Sequence, residues 1–295
     1  FTRGRPDAPN TIPLDRLRPL ADDGRLTVVV EDTEPPGLPA GSFDEPEGVT
    51  AEIGARVADH IARHLDLTRG RALQVGIGET SVAAVRQLAA GPWTGRVVTE
   101  MLDPVTLELL DDGTVEPPVV CTFAMGERGS DFPARLDGDE RIEMVPATAL
   151  LTPEAFAGGL GINNVLAIDF LGQVNATARD HVPYSGIGGL ATIMRGLADG
   201  GVAYLCLRST HRDLDGDVRS SILPALPEGT PVALTGFDLM GRRNGGRVYV
   251  ATEHGIASLH GRSQDELVRE LVAVAHPDHR DDLRREAWDR LRVRV

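Results

Sequence analysis

From residue 49 onward the chain alternates two apolar rhythms. Residues 49–67 space Ile53, Val57, Ile61 and Leu65 four apart, which predicts one buried helix face, and Gly70 follows as a stop. Short β-branched runs predict strands over 71–77, 96–102, 140–146, 163–170, 202–208, 231–235 and 247–252. Helical spacing fills 79–90, 104–110, 187–198, 263–275 and 278–291 between and after them. Strand–helix alternation of this kind predicts an α/β fold, an open, mostly parallel sheet with helices on both faces. Ligands of such sheets sit outside the carboxyl ends of strands, so the glycine turns at those ends are where chemistry is expected.

Residues 1–48 break the rhythm. They hold one strand-like stretch, 26–31 (LTVVVE), then the Pro/Gly-rich run EPPGLPAGSFDEPEG, and no helix of their own is expected. The division drawn from the pattern is a tail and linker over 1–48 and one α/β domain over 49–295. The 295 residues are 41% hydrophobic, enough for one large or two modest domains. A net charge of −14 opposes a nucleic-acid or anionic-membrane partner. No apolar run approaches the ~18 residues of a membrane span, and nothing resembling a secretory leader opens these residues. Cys121 and Cys206 lie in apolar stretches outside any CxxC pattern. Buried free thiols and a reducing, cytoplasmic location are the expectation.

Two glycine turns carry the chemical signal. In Gln74-Val75-Gly76-Ile77-Gly78-Glu79 a strand runs into a helix, where backbone N–H groups approach a ligand closely; Val82 stands where a dinucleotide fingerprint has its third glycine. In Tyr184-Ser185-Gly186-Ile187-Gly188-Gly189 three glycines lead into a helix, a donor cluster suited to an anion or oxyanion. Tight-turn packing explains either turn as well. His60 and His64, one helical turn apart, read as solvated histidines without a third ligand, and no metal is expected. Asp278 in AHPDH reads as a helix N-cap, and RDDLRREAWDRLRVRV as a solvated helix face. The Asn175-Ala176-Thr177 sequon reads as accidental.

Taken in order, LQVGIG (73–78), VVTEML (97–102), NNVLAIDFLGQVNA (163–176), YSGIGG (184–189), ATEHGIASLHG (251–261) and AHPDHRDDL (275–283) resemble the acetyl-CoA hydrolase/transferase family. That family includes acetate and 4-hydroxybutyrate CoA-transferases. The resemblance runs from about residue 50 to residue 295, and residues 1–48 look like the end of the family's N-terminal domain. It implies two similar open α/β domains with the site between them, so most of a first half is expected elsewhere, on the same gene or a separate chain, in an oligomer.

The resemblance also implies covalent catalysis. A family glutamate attacks the acyl-CoA carbonyl, and CoA then forms a glutamyl thioester, which requires a carboxylate. Counting back from Gly172-Gln173-Val174 and Asp169, that position holds Ala167. Leu190, Thr192, Ile193, Ser81 and Ser221 also depart from the usual residues, as does MGRRNGGR, so natural divergence is favoured over an engineered alanine. Val75, Gly76, Gly78, Gly186, Gly188 and Gly189 are the candidates for the oxyanion and CoA site. Candidate polar groups are Glu79, Glu100, His181, Tyr184, His211 and Glu253, unranked by sequence. The expectation is an enzyme that hydrolyses or directly transfers an acyl group from coenzyme A or carrier-protein phosphopantetheine. Its rivals are a non-catalytic CoA-binding subunit and an ordinary transferase carrying an engineered Ala167.

Overall fold

The computed structural model describes residues 14–27, 46–65, 70–126, 130–179, 182–183, 185–186 and 188–295. Its centre is an eight-stranded sheet made of β1 (Leu73–Val75), β2 (Gly95–Val98), β3 (Val115–Cys121), β4 (Ile142–Met144), β5 (Leu160–Asn164), β6 (Val202–Cys206), β7 (Arg247–Thr252) and β8 (Gly255–Ser258). The order across it is β8-β7-β6-β5-β1-β2-β3-β4. Every pairing is parallel except the β7–β8 hairpin. The chain thus builds outward from β1 to one edge, returns to the other side of β1, and builds outward again.

Among the described residues after 47, the helices of eight or more residues are α1 (Gly48–His64), α2 (Glu79–Ala89), α3 (Pro104–Asp111), α4 (Leu190–Leu197), α5 (Gln264–Val274) and α6 (Pro277–Leu291). Alternation along the strands divides the interior into two cores. Val202, Tyr204 and Cys206 of β6 share one core with Ile53, Val57 and Ile61 of α1, Val85 and Leu88 of α2 and Leu107 of α3. The intervening Ala203 and Leu205 share the other with Ile193, Met194 and Leu197 of α4 and Leu267 and Leu271 of α5. Helices therefore lie on both faces, as the alternation predicts. Cys121 and Cys206 are buried, unpaired thiols, with burial pushing Cys121 up to about 11 and Cys206 up to about 12.

Several expectations change. The run 163–170 is two strands: β5 ends at Asn164, and Ala167–Asp169 leaves the main sheet to pair with Val174–Asn175 and Ile222–Leu223. The run 96–102 also breaks, between Val98 and Met101–Leu102. Residues 231–235 form no strand; Leu234 is buried and makes a single bridge to Val174. β3 carries Pro117 and Pro118, which argue against an inner strand, but both fall in the register shift between Arg96 and Val98 of β2, where ladder donors are not needed. In the tail, Leu14–Asp22 is a helix, contrary to expectation, while 28–31 of the expected strand lies outside the described residues.

The histidine readings change as well. His60 is not simply solvated, because its Nδ1 lies 2.7 Å from the hydroxyl of buried Tyr204. His276, not Asp278, caps α6, its ring nitrogen accepting the Asp278 N–H at 3.3 Å. Asn175 of the sequon is buried and donates to the Ala178 carbonyl.

Candidate active site

The sheet reverses its direction of growth between β1 and β5, and a crevice forms at such a switch point beyond the carboxyl ends. β1 ends there in Gly76-Ile77-Gly78, and β5 ends in Asn163-Asn164. Gln74 and Asn163 exchange buried amide hydrogen bonds of 3.1 and 2.8 Å that tie the two strands together. A Cβ on Gly76 would fall 2.7 Å from Asn163 Oδ1, and Gly78 has φ +125 with Asn164 Nδ2 2.6 Å from where a Cβ would be. These glycines are required by the close approach of the two asparagines. Gly76 N–H donates to the Ile162 carbonyl at 2.7 Å and is already spent, whereas Gly78 opens the first turn of α2. The Val75 carbonyl accepts from Thr99 Oγ1 at 2.8 Å. Glu79 is exposed on that turn, 3.8 Å from Arg208, which in turn donates to Thr50 Oγ1 at 2.8 Å.

Glu100 and Glu253 hold backbone. Glu100 accepts the N–H of Gly189 at 2.8 Å and so caps α4, and a Cβ on Gly189 would be 2.9 Å from that same oxygen. Gly188, at φ +57, stands against the same carboxylate. Glu253 follows β7 and accepts from Ser209 N at 3.0 Å and Ser209 Oγ at 2.5 Å. It thereby fixes the segment that carries Arg208 and His211. Gly186 is exposed, while His181 and Tyr184 lie outside the described residues.

Ala167 faces a different kind of space. It pairs with Asn175 and lines a pocket of about 320 Å³. Leu166, Leu223, Leu226 and Pro227 give that pocket apolar walls, and Arg179, His211, Asp213 and Arg219 give it polar ones. His211 and Arg219 are directly paired across the hairpin formed by Thr210–Arg212 and Val218–Ser220. His211 Nδ1 lies 3.2 Å from Oγ of buried Ser221, whose carbonyl accepts from Ile168 N at 3.0 Å. The ring is thus tied to the strand that bears Ala167. Asp169 is fully buried and accepts from Leu171 N, Gln173 N, Gln173 Nε2 and Leu226 N, which fixes the turn after Ala167. The Arg219 guanidinium holds the Asp213 carboxyl below the usual carboxylate range.

Every described candidate except Gly186 therefore lies in β1, beyond the carboxyl end of a parallel strand, or at the start of α4, but only His211 joins Ala167 in the pocket. Arg179, Asp213 and Arg219 were missed. The Asp-Gly step at 215–216 is a hairpin signal that would have brought the segments carrying His211 and Arg219 side by side, though a two-residue turn there sets His211 opposite Ser220 and the observed loop is longer. Among the described residues no group of His, Cys, Asp and Glu is arranged to hold a metal ion, and no helix is long and apolar enough to cross a membrane.

Comparison with known proteins identifies relatives of the chain. The succinyl-CoA:acetate/propanoyl-CoA:succinate CoA transferase of Fasciola hepatica is 30% identical over 259 residues, covering 82% of this chain and 51% of that protein. The butyryl-CoA:acetate CoA-transferase of Anaerostipes caccae is 36% identical over 130 residues, 43% of this chain and 27% of that one. The crystal structure of RipA from Yersinia pestis superposes with a TM-score of 0.69 at 26% identity, covering 86% of this chain and 55% of that chain. The chain spans about half the length of the curated relatives it matches, for example 51% of the Fasciola hepatica protein. The model of the acetyl-CoA hydrolase/transferase C-terminal domain matches residues 130–287, more than half of the chain, and on that match the chain belongs to the acetyl-CoA hydrolase/transferase family.

Proposed function

We propose that this chain cleaves an acyl-CoA thioester with an attacking group that is not part of the protein, either water or a nucleophile carried by the substrate. The observation that carries this reading is the pocket, in which Ala167 forms wall where the family resemblance expects a glutamate, and His211 lines the same space. An alanine forms no acyl derivative, so the attack on the thioester carbon must come from a group that enters the pocket. For hydrolysis, the water oxygen bonds to that carbon and the carbon–sulfur bond breaks. His211 takes a proton from the water and returns one to the departing CoA thiolate. Ser221 orients the ring through Nδ1. A thioester on carrier-protein phosphopantetheine would meet the same groups, and parallel assays with the two carriers separate them.

The test is release of free CoA from a panel of acyl-CoAs by the whole chain and by His211→Gln. The wild type releases CoA, and the variant loses about 10²- to 10⁴-fold in kcat, the usual contribution of a general base. Saturable binding without release would instead make the chain a non-catalytic subunit. Undiminished release by His211→Gln would remove His211 from the chemistry.

A further inference from the structure

Glu253 stands at the end of a hydrogen-bonded path that reaches His211. Its carboxylate accepts from Ser209 N at 3.0 Å and Ser209 Oγ at 2.5 Å. The Ser209 carbonyl accepts from Ser221 N at 2.8 Å, and Ser221 Oγ lies 3.2 Å from His211 Nδ1. Both serines are buried, which makes a broken link costly. On its other side Glu253 meets the ring of the next residue. His254 Nε2 lies 3.7 Å from Glu253 Oε1, the same oxygen that takes the Ser209 hydroxyl. That nitrogen is buried and, among the described residues, has no hydrogen-bond partner. The His276 ring stands edge-on to His254 at 5.0 Å, with the His279 ring 6.0 Å beyond it and Asp278 3.7 Å from His276. Arg56 and Arg280 add positive charge near the ring, and Arg56 Nη2 donates to the Glu253 carbonyl at 2.9 Å.

We propose that His254 is a positioning residue for the cleavage: when its ring takes up a proton, Nε2–H closes on Glu253 Oε1, draws the carboxylate from Ser209 and loosens the path that holds His211. The inference rests on the reading that His211 serves the cleavage. Whichever tautomer the neutral ring adopts, the charged ring carries a hydrogen on Nε2. Imidazolium and carboxylate bear opposite full charges, which the neutral hydroxyl of Ser209 cannot match. Burial foremost, helped by His276, Arg280 and Arg56, holds the His254 ring below its ordinary value of 6.5 against the pull of Glu253. Above pH 6.5 the ring is therefore neutral and the path tight, and loosening comes as pH falls below that value.

The experiment is a pH titration of the whole chain by nuclear magnetic resonance, from about pH 8 to about pH 5, following the His254 ring and the Ser209 and Ser221 amides. The Ser209 amide proton moves upfield, the sense of a weakening hydrogen bond, with the midpoint of the His254 ring, and Ser221 follows. His254→Gln, which does not titrate, loses this inflection, whereas His211→Gln keeps it. In Glu253→Gln the His254 ring still titrates but Ser209 no longer follows. A Ser209 amide that ignores the His254 midpoint in the wild type, or that still follows it in Glu253→Gln as a bare field effect, overturns the inference. These signals need no turnover, so the coupling is read independently of the cleavage. In CoA release, the wild-type kcat shows an acid limb at the His254 midpoint that His254→Gln lacks. Identical acid limbs in the two proteins overturn the positioning role while leaving the cleavage reading intact. Absence of CoA release at every pH overturns the cleavage reading and the role of His254 with it.

Discussion

At Ala167 a methyl group stands where the strand meets the pocket, and its neighbours decide what a longer side chain there would do. A carboxylate introduced by Ala167→Glu would enter a space lined by Arg179 and Arg219 and be drawn to them rather than left poised for attack. Misplacement of about 1 Å costs on the order of 10²-fold in rate. Ala167→Glu is therefore expected not to transfer CoA efficiently between acyl-CoA and acetate, and turnover at about 1–10³ s⁻¹ would mark the alanine as a simple knockout. Two residues along, Asp169 accepts from three backbone N–H groups and one side-chain amide, which an asparagine of the same shape cannot all satisfy. Asp169→Asn should lower the unfolding free energy by about 1–3 kcal/mol, read from the denaturant midpoint. At this scale the sequence named Ala167 and Asp169 by their place before Gly172-Gln173-Val174. It could not rank His211 above Glu100 and Glu253, because which carboxylate caps a backbone N–H depends on contacts 89 and 44 residues apart.

The elements were legible wherever their periodicity was long. The helix read over 49–67 is α1, and 79–90 and 263–275 are α2 and α5 to within a residue or two. The breaks in the runs 96–102 and 163–170 share one cause, which is that an apolar run does not show where the chain leaves a sheet. Val165 N still bonds to the Cys206 carbonyl of β6, but Leu166 N has turned to Asn175, so the run is continuous while the pairing is not. α1 also holds a pH dependence that its spacing could not reveal. Burial, and then the neighbouring His64, keep His60 below its ordinary value of 6.5. The unfolded chain accordingly takes up this proton at higher pH than the folded one does. The folded state then keeps full stability above pH 6.5 and loses it as pH falls from there through the lowered value. His60→Gln can still accept from the Tyr204 hydroxyl but cannot titrate. Its melting temperature should fall less than the wild type's between about pH 7.5 and pH 5.5, and parallel curves would contradict the assignment.

Across the whole molecule, the order of the parallel strands gathers the described candidate residues, Gly186 apart, at the carboxyl-end side of the sheet. That much followed from the alternation of strand and helix. What did not follow is how that side divides: one part is glycine turns whose amides are partly spent on the fold, and the other is a pocket walled by a hairpin. The function proposed for the pocket beside Ala167 leads to a single expectation about the reaction. The direct measurement is the intact mass of the chain, sampled during steady release of free CoA from an acyl-CoA and after borohydride quenching. Release of CoA with the protein mass unchanged is the predicted result. A protein species heavier by CoA or by the acyl group, formed and consumed at the rate of release, would contradict it.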